Sequence, residues 1–501
     1  MKSSFTPPLV AVLATLVGCT QYLPSVGPDY REPAFELREA VLPDAGFPTT
    51  NLTVTGEYAP AVSNVDDRVV ISTDTIAQWW KRFDDPVLEN LVIGAVSNNA
   101  SFRLAQARLE QANWELLGTY SAFLPKLGVN ASWTHNVLRH NNPSAYNSTR
   151  PGDSVRSRTA QLGLGADWEL DIFGGSRRQT EAALALAESA EWTVADAWIS
   201  LTTQIGAQYV NLRTVQESLS VARTNLVLQS ETLEILRSRL ESGIGDELAV
   251  NQCAYIVEQT RAQIPQLLAQ EESLKNAIAI LAGEMPGSIH DALVPVSGRD
   301  WLLAPQKVSE LPLDLLRSRP DVKAVERRLA AQTARIGVAK AMWFPKLFIS
   351  GSVGYQARNF RDLFSPESVM SSFGPSISWP IFQAGAIYSS VKAEEAKTRQ
   401  ALLDYELALE RAYADVRNAY SAYTQEYHRY QSLQGAVKAA TDAVTISRDL
   451  YRNGLKDFNN VLDAQRSRLQ LEAQLVASRG QITIDLIDLY RALGGGLAVE
   501  R

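Results

Sequence analysis

Residues 123–137, FLPKLGVNASWTHNV, and residues 343–355, WFPKLFISGSVGY, decide how the chain must be read. Each opens on a Pro-Lys-Leu turn, where proline ends a preceding helix because it has no N–H to donate and its ring crowds the turn before it. Each then alternates. In the first, Leu127, Val129, Ala131, Trp133 and Val137 take turns with Gly128, Asn130, Ser132, Thr134 and Asn136; in the second, Leu347, Ile349, Val353 and Tyr355 oppose Ser350, Ser352, Gly354 and Gln356. A period of two is the signature of a strand with unlike faces. A further alternating stretch follows each: Ala160, Leu162, Leu164, Ala166, Trp168, Leu170 and Ile172 in one case, Phe373, Ile377, Trp379 and Ile381 in the other.

These stretches belong to an internal repeat. Phe123-Leu124-Pro125-Lys126-Leu127 returns 220 positions later as Trp343-Phe344-Pro345-Lys346-Leu347. Trp168 to Phe173 (WELDIF) returns approximately as Trp379-Pro380-Ile381-Phe382, and LESGIGD at 240–246 as LYRNGLKD at 450–457, with Gly243 matching Gly454. Three matches in one order indicate duplication of a unit of about 210 residues. The expected boundaries are 81–295 and 296–501, each unit holding a helix (about 84–122 and 312–342), two strands and a long helical hairpin.

Strands of 10 to 13 residues with aromatics at Trp133, Trp168, Tyr355 and Trp379 suit a membrane barrel, whose strands need about 9–11 residues. A soluble half-buried sheet alternates in the same way. The N-terminus favours the membrane. Residues 1–19, MKSSFTPPLVAVLATLVGC, carry one Lys, an apolar run from Leu9 to Val17 and a small residue before Cys19, as a secretory signal does. Leu16-Val17-Gly18-Cys19 matches the bacterial lipobox, so residues 1–18 read as a lipoprotein signal peptide, Cys19 as the acylated residue and 19–80 as a tether. No apolar run of 18 follows the signal, and four strands cannot close in lipid, where an open edge is not tolerated. The barrel must be shared between subunits.

Beyond each second strand the chain reads as long helix. No proline occurs from Gly385 to Arg501, and only Pro265 between Ser176 and Leu281. Residues 386–451 as one helix would extend about 100 Å, longer than a globular core. Leu409, Tyr413, Val416, Tyr420, Tyr423, Tyr427 and Tyr430 step alternately by four and three, and Leu212, Leu219, Leu226, Leu233 and Leu240 recur every seven. Such a period means supercoiled packing against other helices, and at that spacing the tyrosines are core residues before they are a stacking box. Gly243 and Gly454 break the runs, giving antiparallel hairpins with returning helices at about 247–282 and 458–493.

Composition narrows the function. The 48 Lys and Arg against 55 Asp and Glu leave a net charge of −7, with no basic field for a phosphate backbone, so nucleic acid is not an expected partner. Two cysteines without a CxxC, and His135, His140, His290 and His428 without paired spacing, argue against a disulfide framework and a metal site. No GxSxG or phosphate loop occurs, and no cofactor or enzymatic activity is expected. Four methionines among 501 residues give no support to a Met-based copper relay.

The chain resembles the TolC-like outer membrane efflux proteins, in particular the lipoprotein branch of OprM and NodT type. The resemblance rests on Cys19 with Val26-Gly27-Pro28-Asp29-Tyr30, on Arg317-Ser318-Arg319-Pro320-Asp321-Val322, on the paired Pro-Lys-Leu turns, on Val461-Leu462-Asp463-Ala464-Gln465, and on Leu489-Tyr490-Arg491-Ala492-Leu493-Gly494-Gly495-Gly496. It implies an α+β membrane protein: a homotrimer in the outer membrane lipid, each protomer giving four transmembrane strands to a 12-strand barrel and its hairpins to a periplasmic α-helical barrel. The implied function is the exit duct of a tripartite small-molecule efflux system. Its implied partners are a periplasmic adaptor (membrane fusion) protein and an inner-membrane pump of the resistance, nodulation and division type. A protein-secretion duct and a periplasmic coiled-coil adaptor are the alternatives.

The resemblance also implies site residues. Asp463 matches a gate aspartate at the periplasmic tip, Asn460 replaces a second, and Tyr451 and Lys456 fall where a latching tyrosine and a base sit. Leu248 and Ala249 stand where some members carry polar groups, so the latch departs from the family pattern. Gly243 and Gly454 match the grooves where adaptor tips dock. Independently of the family, three symmetric copies of Asp463 would form a cation-attracting ring, while a single copy could equally be a solvated helix-face carboxylate.

Overall fold

The computed structural model describes residues 25–33, 78–139, 154–295, 313–453 and 455–495. The expected signal peptide, most of the expected tether, Cys19 and Gly454 lie outside them. A short turn of 3₁₀ helix (Trp79–Phe83) leads into α1 (Pro86–Asn98), α2 (Ala100–Tyr120), β1 (Lys126–Arg139), β2 (Ser154–Leu170), α3 (Gly175–Glu241) and α4 (Glu247–Ala282). The second half follows the same order: α5 (Leu313–Ser318), α6 (Pro320–Ala341), β3 (Lys346–Ala357), β4 (Val369–Ser378), α7 (Ala386–Arg452) and α8 (Phe458–Ala492).

The helices expected at 84–122 and 312–342 are each broken once. Asn99 is extended at ψ 123°, ends α1 and caps α2, its Oδ1 accepting from the Phe102 amide at 2.9 Å. Arg319 interrupts the other, 220 positions on. Apolar periodicity runs through both breaks, but each has a local mark: Asn99 is a favoured N-cap, and Pro320 directly after Arg319 cannot continue a helix. Equivalent bonds recur in the two halves, their residues offset by about 210 to 220 positions. Asn99 Nδ2 donates to the Leu281 carbonyl at 2.9 Å, as Arg319 Nη1 donates to the Ala492 carbonyl at 2.9 Å. Trp168 Nε1 donates to the Phe123 carbonyl at 3.1 Å, as Trp379 Nε1 does to the Trp343 carbonyl at 3.0 Å.

The chain divides into two compact units, each drawing on both halves of the sequence. Among the described residues the first holds 25–33, 109–190 and 325–405, and the second 78–108, 191–295, 313–324, 406–453 and 455–495. The first unit contains an antiparallel sheet in the order β1-β2-β3-β4. Directly paired residues share a face. Leu127↔Ala166, Val129↔Leu164 and Trp133↔Ala160, continued by Leu164↔Val353 and Gly351↔Phe373, set one apolar face. It is solvent-open in the single chain: Leu127 is 77% exposed, Val129 72% and Phe373 80%. The other face is polar, with Asn130, Ser132, Thr134, Gln161, Ser352 and Ser372, and a Lys346–Glu169 pair at 2.9 Å near its helix-connected end. Gly163 and Gly354 pair on this face, where a Cβ on Gly354 would lie 2.3 Å from the Leu162 carbonyl, so the strands approach more closely there than a side chain allows.

In the second unit the seven-residue pattern of α3 is buried at Leu212, Val215, Leu219, Leu233 and Leu236, and that of α7 at Leu409, Val416, Tyr420 and Tyr423. The tyrosines at 420 and 423 are core. Trp79 fills the notch at Gly206, where an added Cβ would sit 2.1 Å from the indole ring. Among the described residues no helix is long and apolar enough to cross a membrane.

Candidate functional site

Within the second unit the ends of both helical hairpins converge. Leu233 and Leu236 of α3, Ala249, Cys253, Ile256 and Val257 of α4, and Phe458, Val461 and Leu462 of α8 form one buried cluster, with Tyr451 of α7 against it. The first hairpin turns at Gly243, whose φ of +75° suits glycine; Ile244 N donates back to the Arg239 carbonyl at 3.1 Å and closes the helix. The α4 N-terminus is capped by Asp246, whose Oδ1 accepts from Leu248 N at 2.9 Å. A Cβ on Gly243 would meet nothing within 4 Å, and Ile244 and Leu455 stand out from the two tips at 82% and 67% exposure.

The residues singled out from sequence fall here, on unlike footings. Tyr451 stacks edge-on to Phe458 with ring centroids 5.1 Å apart, and the Arg239 guanidinium lies 5.6 Å over its ring. Asp463 is exposed, and among the described residues it pairs with its own helical neighbour Arg466 at 3.9 Å. Asn460 is exposed and its Nδ2 donates to the Asp457 carbonyl at 3.2 Å. Lys456 is exposed. Ala249 is buried in the cluster while Leu248 faces solvent, so no ionic latch forms at that pair. Cys253 is buried, and burial pushes its thiol up to about 11, which leaves it unreactive at neutral pH.

A second constellation in the same unit escaped the sequence reading. Arg319, buried at the break between α5 and α6, donates to the carbonyls of Ala412 and Ala492, to both carboxylate oxygens of Asp321 at 3.0 and 2.8 Å, and to Asp415 at 3.2 Å. It borders a cavity of about 530 Å³ that is also lined by Asp196, Asp485 and Asp488. Burial, the largest cause in each case, holds these three carboxyls above their ordinary range, with Asp321 adding to the effect on Asp196 and Glu426 on Asp485. In the window above the ordinary value of 3.8 the folded chain therefore binds more protons than the unfolded chain, so these groups favour folding more as pH falls. Asp485→Asn is expected to raise the melting temperature at pH 7, with the gain over the parent vanishing toward about pH 4. Melting curves of the two proteins across that range test it; a pH-independent gain would mean the carboxylate is not the cause. A third feature is a cavity of about 890 Å³ walled by Gln259, Gln263, Gln266 and Gln270 of α4 with Gln470 and Gln474 of α8. The four-three-four spacing of those amides was its visible signal in the sequence.

The first unit holds the segment 25–33. Val26 N donates to the Phe173 carbonyl at 3.1 Å, Arg178 donates to the Val26 and Gly27 carbonyls and to Asp29 at 2.6 Å, and Tyr30 Oη donates to the buried Glu326 at 3.1 Å.

A sheet with one apolar and one polar face, joined to paired long helices, fits the class of outer-membrane channel proteins. The comparisons agree. The sequence profile described as outer membrane efflux protein matches residues 92–284 and 311–495. The chain is 27% identical over 490 residues to outer membrane protein OprJ of Pseudomonas aeruginosa, covering 98% of this chain and 96% of that protein. It is 29% identical over 475 residues to nodulation protein T of Rhizobium leguminosarum bv. trifolii, covering 94% and 92%. The solved outer-membrane channel OprN matches with a TM-score of 0.81 at 32% identity, over 94% of this chain and 99% of that one. The open state of the Neisseria gonorrhoeae MtrE outer membrane channel matches at 0.75 and 26%, over 94% and 98%. More particularly, then, the chain belongs to the outer membrane efflux protein family. It is an outer membrane channel with a periplasmic extension, and a duct rather than an enzyme.

Proposed function

We propose that three copies of the chain close a 12-strand barrel and act as the exit duct of a tripartite efflux system. The observation that carries this is the four-stranded sheet itself, with β1 and β4 at its open edges and a solvent-open apolar face. In lipid every strand edge must be paired, and four strands are too few to close alone, so other copies must supply the rest. The duplicated order of helix, two strands and helical hairpin, with equivalent bonds at Asn99 and Arg319 and at Trp168 and Trp379, supports descent from one doubled unit.

Cys19 carries the lipid anchor in this reading. A periplasmic adaptor docks at the hairpin tips marked by Gly243 and Gly454, where the surroundings of Gly243 leave room and Ile244 and Leu455 offer apolar contacts. An inner-membrane pump of the resistance, nodulation and division type drives the flow. Relatives are named for export of pyoverdine, for efflux of toluene and for efflux of cations. Cargoes so unlike one another fit a duct that passes small molecules chosen by the pump.

The gate is the end of the duct where the hairpin tips meet, and Asp463 forms its ring, with Asn460, Tyr451 and Lys456 around it. The assembly is tested by the protein mass of the detergent-extracted complex and the acylation of its N-terminal peptide. Three copies with acylated Cys19 are expected; a water-soluble, lipid-free monomer would sink the shared barrel. The gate is tested by Asp463→Ala, which removes three carboxylates per trimer. Its cation preference, read as the reversal potential in planar bilayers, is expected to fall about twofold at low salt and less at 1 M salt, where screening is nearly complete. An unchanged reversal potential would return Asp463 to an ordinary solvated carboxylate.

A further inference from the structure

The apolar face of the sheet does not stay apolar to its end. Continuing β1 past Trp133, the residues on the same face are His135, Val137 and Arg139; their partners on β2 are Arg158, Arg156 and Ser154. The His135 ring stacks parallel to Trp133 with centroids 6.2 Å apart, which keeps it on that face. Arg139, Arg156 and Arg158 are exposed, and among the described residues none of the three pairs with a carboxylate. Three guanidinium groups and an imidazole thus project from the surface whose lower part is Leu127, Val129, Trp133 and Leu164.

The height of this group along the strand is decisive. β1 is entered from α2 and β2 leaves into α3, so the cluster lies at the hairpin end, away from the helices. Val137 is ten residues above Leu127; at about 3.4 Å per residue and a tilt of about 40° that is ~26 Å along the membrane normal. The apolar band of an outer-membrane barrel is about 25 Å tall. Arg156, opposite Val137, and Arg139, two residues higher, therefore stand at its outer edge, and Arg158, opposite His135, reaches that edge with its long stem. An arginine on the lipid face costs about 2–4 kcal/mol at the midplane and about 0–1 kcal/mol near the interface. Charge without a protein partner is tolerable on this face only where the surroundings provide the counter-charge.

We propose that Arg139, Arg156 and Arg158, with His135, form a binding site for the phosphate-bearing headgroups of outer-leaflet lipid. Guanidinium meets phosphate through paired, charge-assisted hydrogen bonds, and three of them on adjacent strands can hold more than one phosphate oxygen at a time. The site would fix the barrel's depth and seal lipid against its first hairpin. It rests on the reading of the sheet as part of a membrane barrel.

The test uses the full chain, extracted from membranes and kept in mild detergent, with lipopolysaccharide as the probe. The double variant Arg156→Gln/Arg158→Gln is expected to bind it about tenfold more weakly than the parent, while Arg156→Lys/Arg158→Lys recovers part of the loss because charge returns without the bidentate fork. Dephosphorylated lipopolysaccharide should bind the parent as weakly as it binds the glutamine variant. Millimolar inorganic phosphate should fail to displace the intact lipid, which separates a headgroup site from a free-phosphate site. The matched control is Arg237→Gln/Arg261→Gln, two exposed helical arginines paired with Glu234 and Glu258, which should bind as the parent does. Equal binding by parent and glutamine variant, or displacement by phosphate, overturns the proposal. Subunit mass and bilayer conductance are read on every protein: a parent that fails to assemble or conduct overturns the barrel reading, whereas conducting variants with undiminished lipid binding overturn only the site.

Discussion

Arg319→Ala should be the most damaging single substitution in the helical part of the chain, lowering stability by about 2 kcal/mol. The side chain is 8% exposed and joins three segments of the second unit that lie far apart in sequence: the start of α6 through Asp321, the middle of α7 through Asp415 and the Ala412 carbonyl, and the end of α8 through the Ala492 carbonyl. Burial works against its charge, but the hydrogen bonds it donates to the two aspartates, with their negative charge, outweigh it and hold the guanidinium firmly protonated. Truncation to alanine leaves two carboxylates facing a cavity that already holds Asp196, Asp485 and Asp488, and it frees two carbonyls. The two aspartates are themselves 41% and 56% exposed and stay solvated, so the loss comes mainly from the buried guanidinium's charge-assisted hydrogen bonds and from the two carbonyls it leaves unmet. The loss is read as the drop in melting temperature of the extracted protein and in the yield of assembled complex. Arg319→Lys should recover part of it by keeping the charge without the planar fork. Melting within a degree or two of the parent for the alanine variant would show that the five bonds are incidental. Asn99→Ala, at the equivalent break, removes only neutral bonds to Leu281 and Phe102 and should cost about 1 kcal/mol.

The contrast between those two breaks shows what the sequence could reveal. Strands were legible because a period of two is a local signal: the structure places β1 and β4 at Lys126–Arg139 and Val369–Ser378, against alternation visible at 127–137 and 373–381. The turn at Gly243 was legible for the same reason, since a single residue with positive φ ends the helix. The breaks at Asn99 and Arg319 had only short local marks, an N-capping asparagine and the Pro320 that follows Arg319, set in apolar spacing that is otherwise that of continuous helix; the bond from each break to a carbonyl about 180 residues away has no local signal at all. Asp463 and Tyr451 were placed at the tip by resemblance; the structure shows Tyr451 in the tip cluster and Asp463 on an exposed helix face. The basic group at the hairpin end was present in the alternation all along. It became visible only when the register put Arg156 and Arg158 opposite Val137 and His135.

Gly337→Val should detach the N-terminal segment from the first unit. Gly27, at φ +113°, crosses α6 at Gly337 so closely that a Cβ on Gly27 would lie 2.5 Å from the Gly337 Cα, and one on Gly337 would lie 2.7 Å from both the Val26 carbonyl and the Arg178 side chain. Neither contact can relax, since backbone stands on one side and a 4%-exposed arginine side chain on the other. Lifting the segment would break the bonds from Arg178 to Val26, Gly27 and Asp29 together, and would expose Glu326, which Tyr30 and Arg327 cover. The consequence reaches the anchor. Seven Cα–Cα steps separate Cys19 from Val26, at most about 25 Å of extended chain, and Val26 is bonded to Phe173 just beyond the end of β2. If Cys19 carries lipid, the clasp fixes the membrane surface near the level where β2 ends. The variant should therefore keep its acylation but become cleavable by protease within residues 25–33 at least about tenfold faster than the parent, an increase equivalent to about 1.4 kcal/mol of lost local protection. Tyr30→Phe, which loses one hydrogen bond, should show a smaller change in the same direction. Cleavage of the Gly337→Val variant at the parental rate would mean that the glycine crossing does not hold the segment, and that the depth of the anchor is set by the lipid alone.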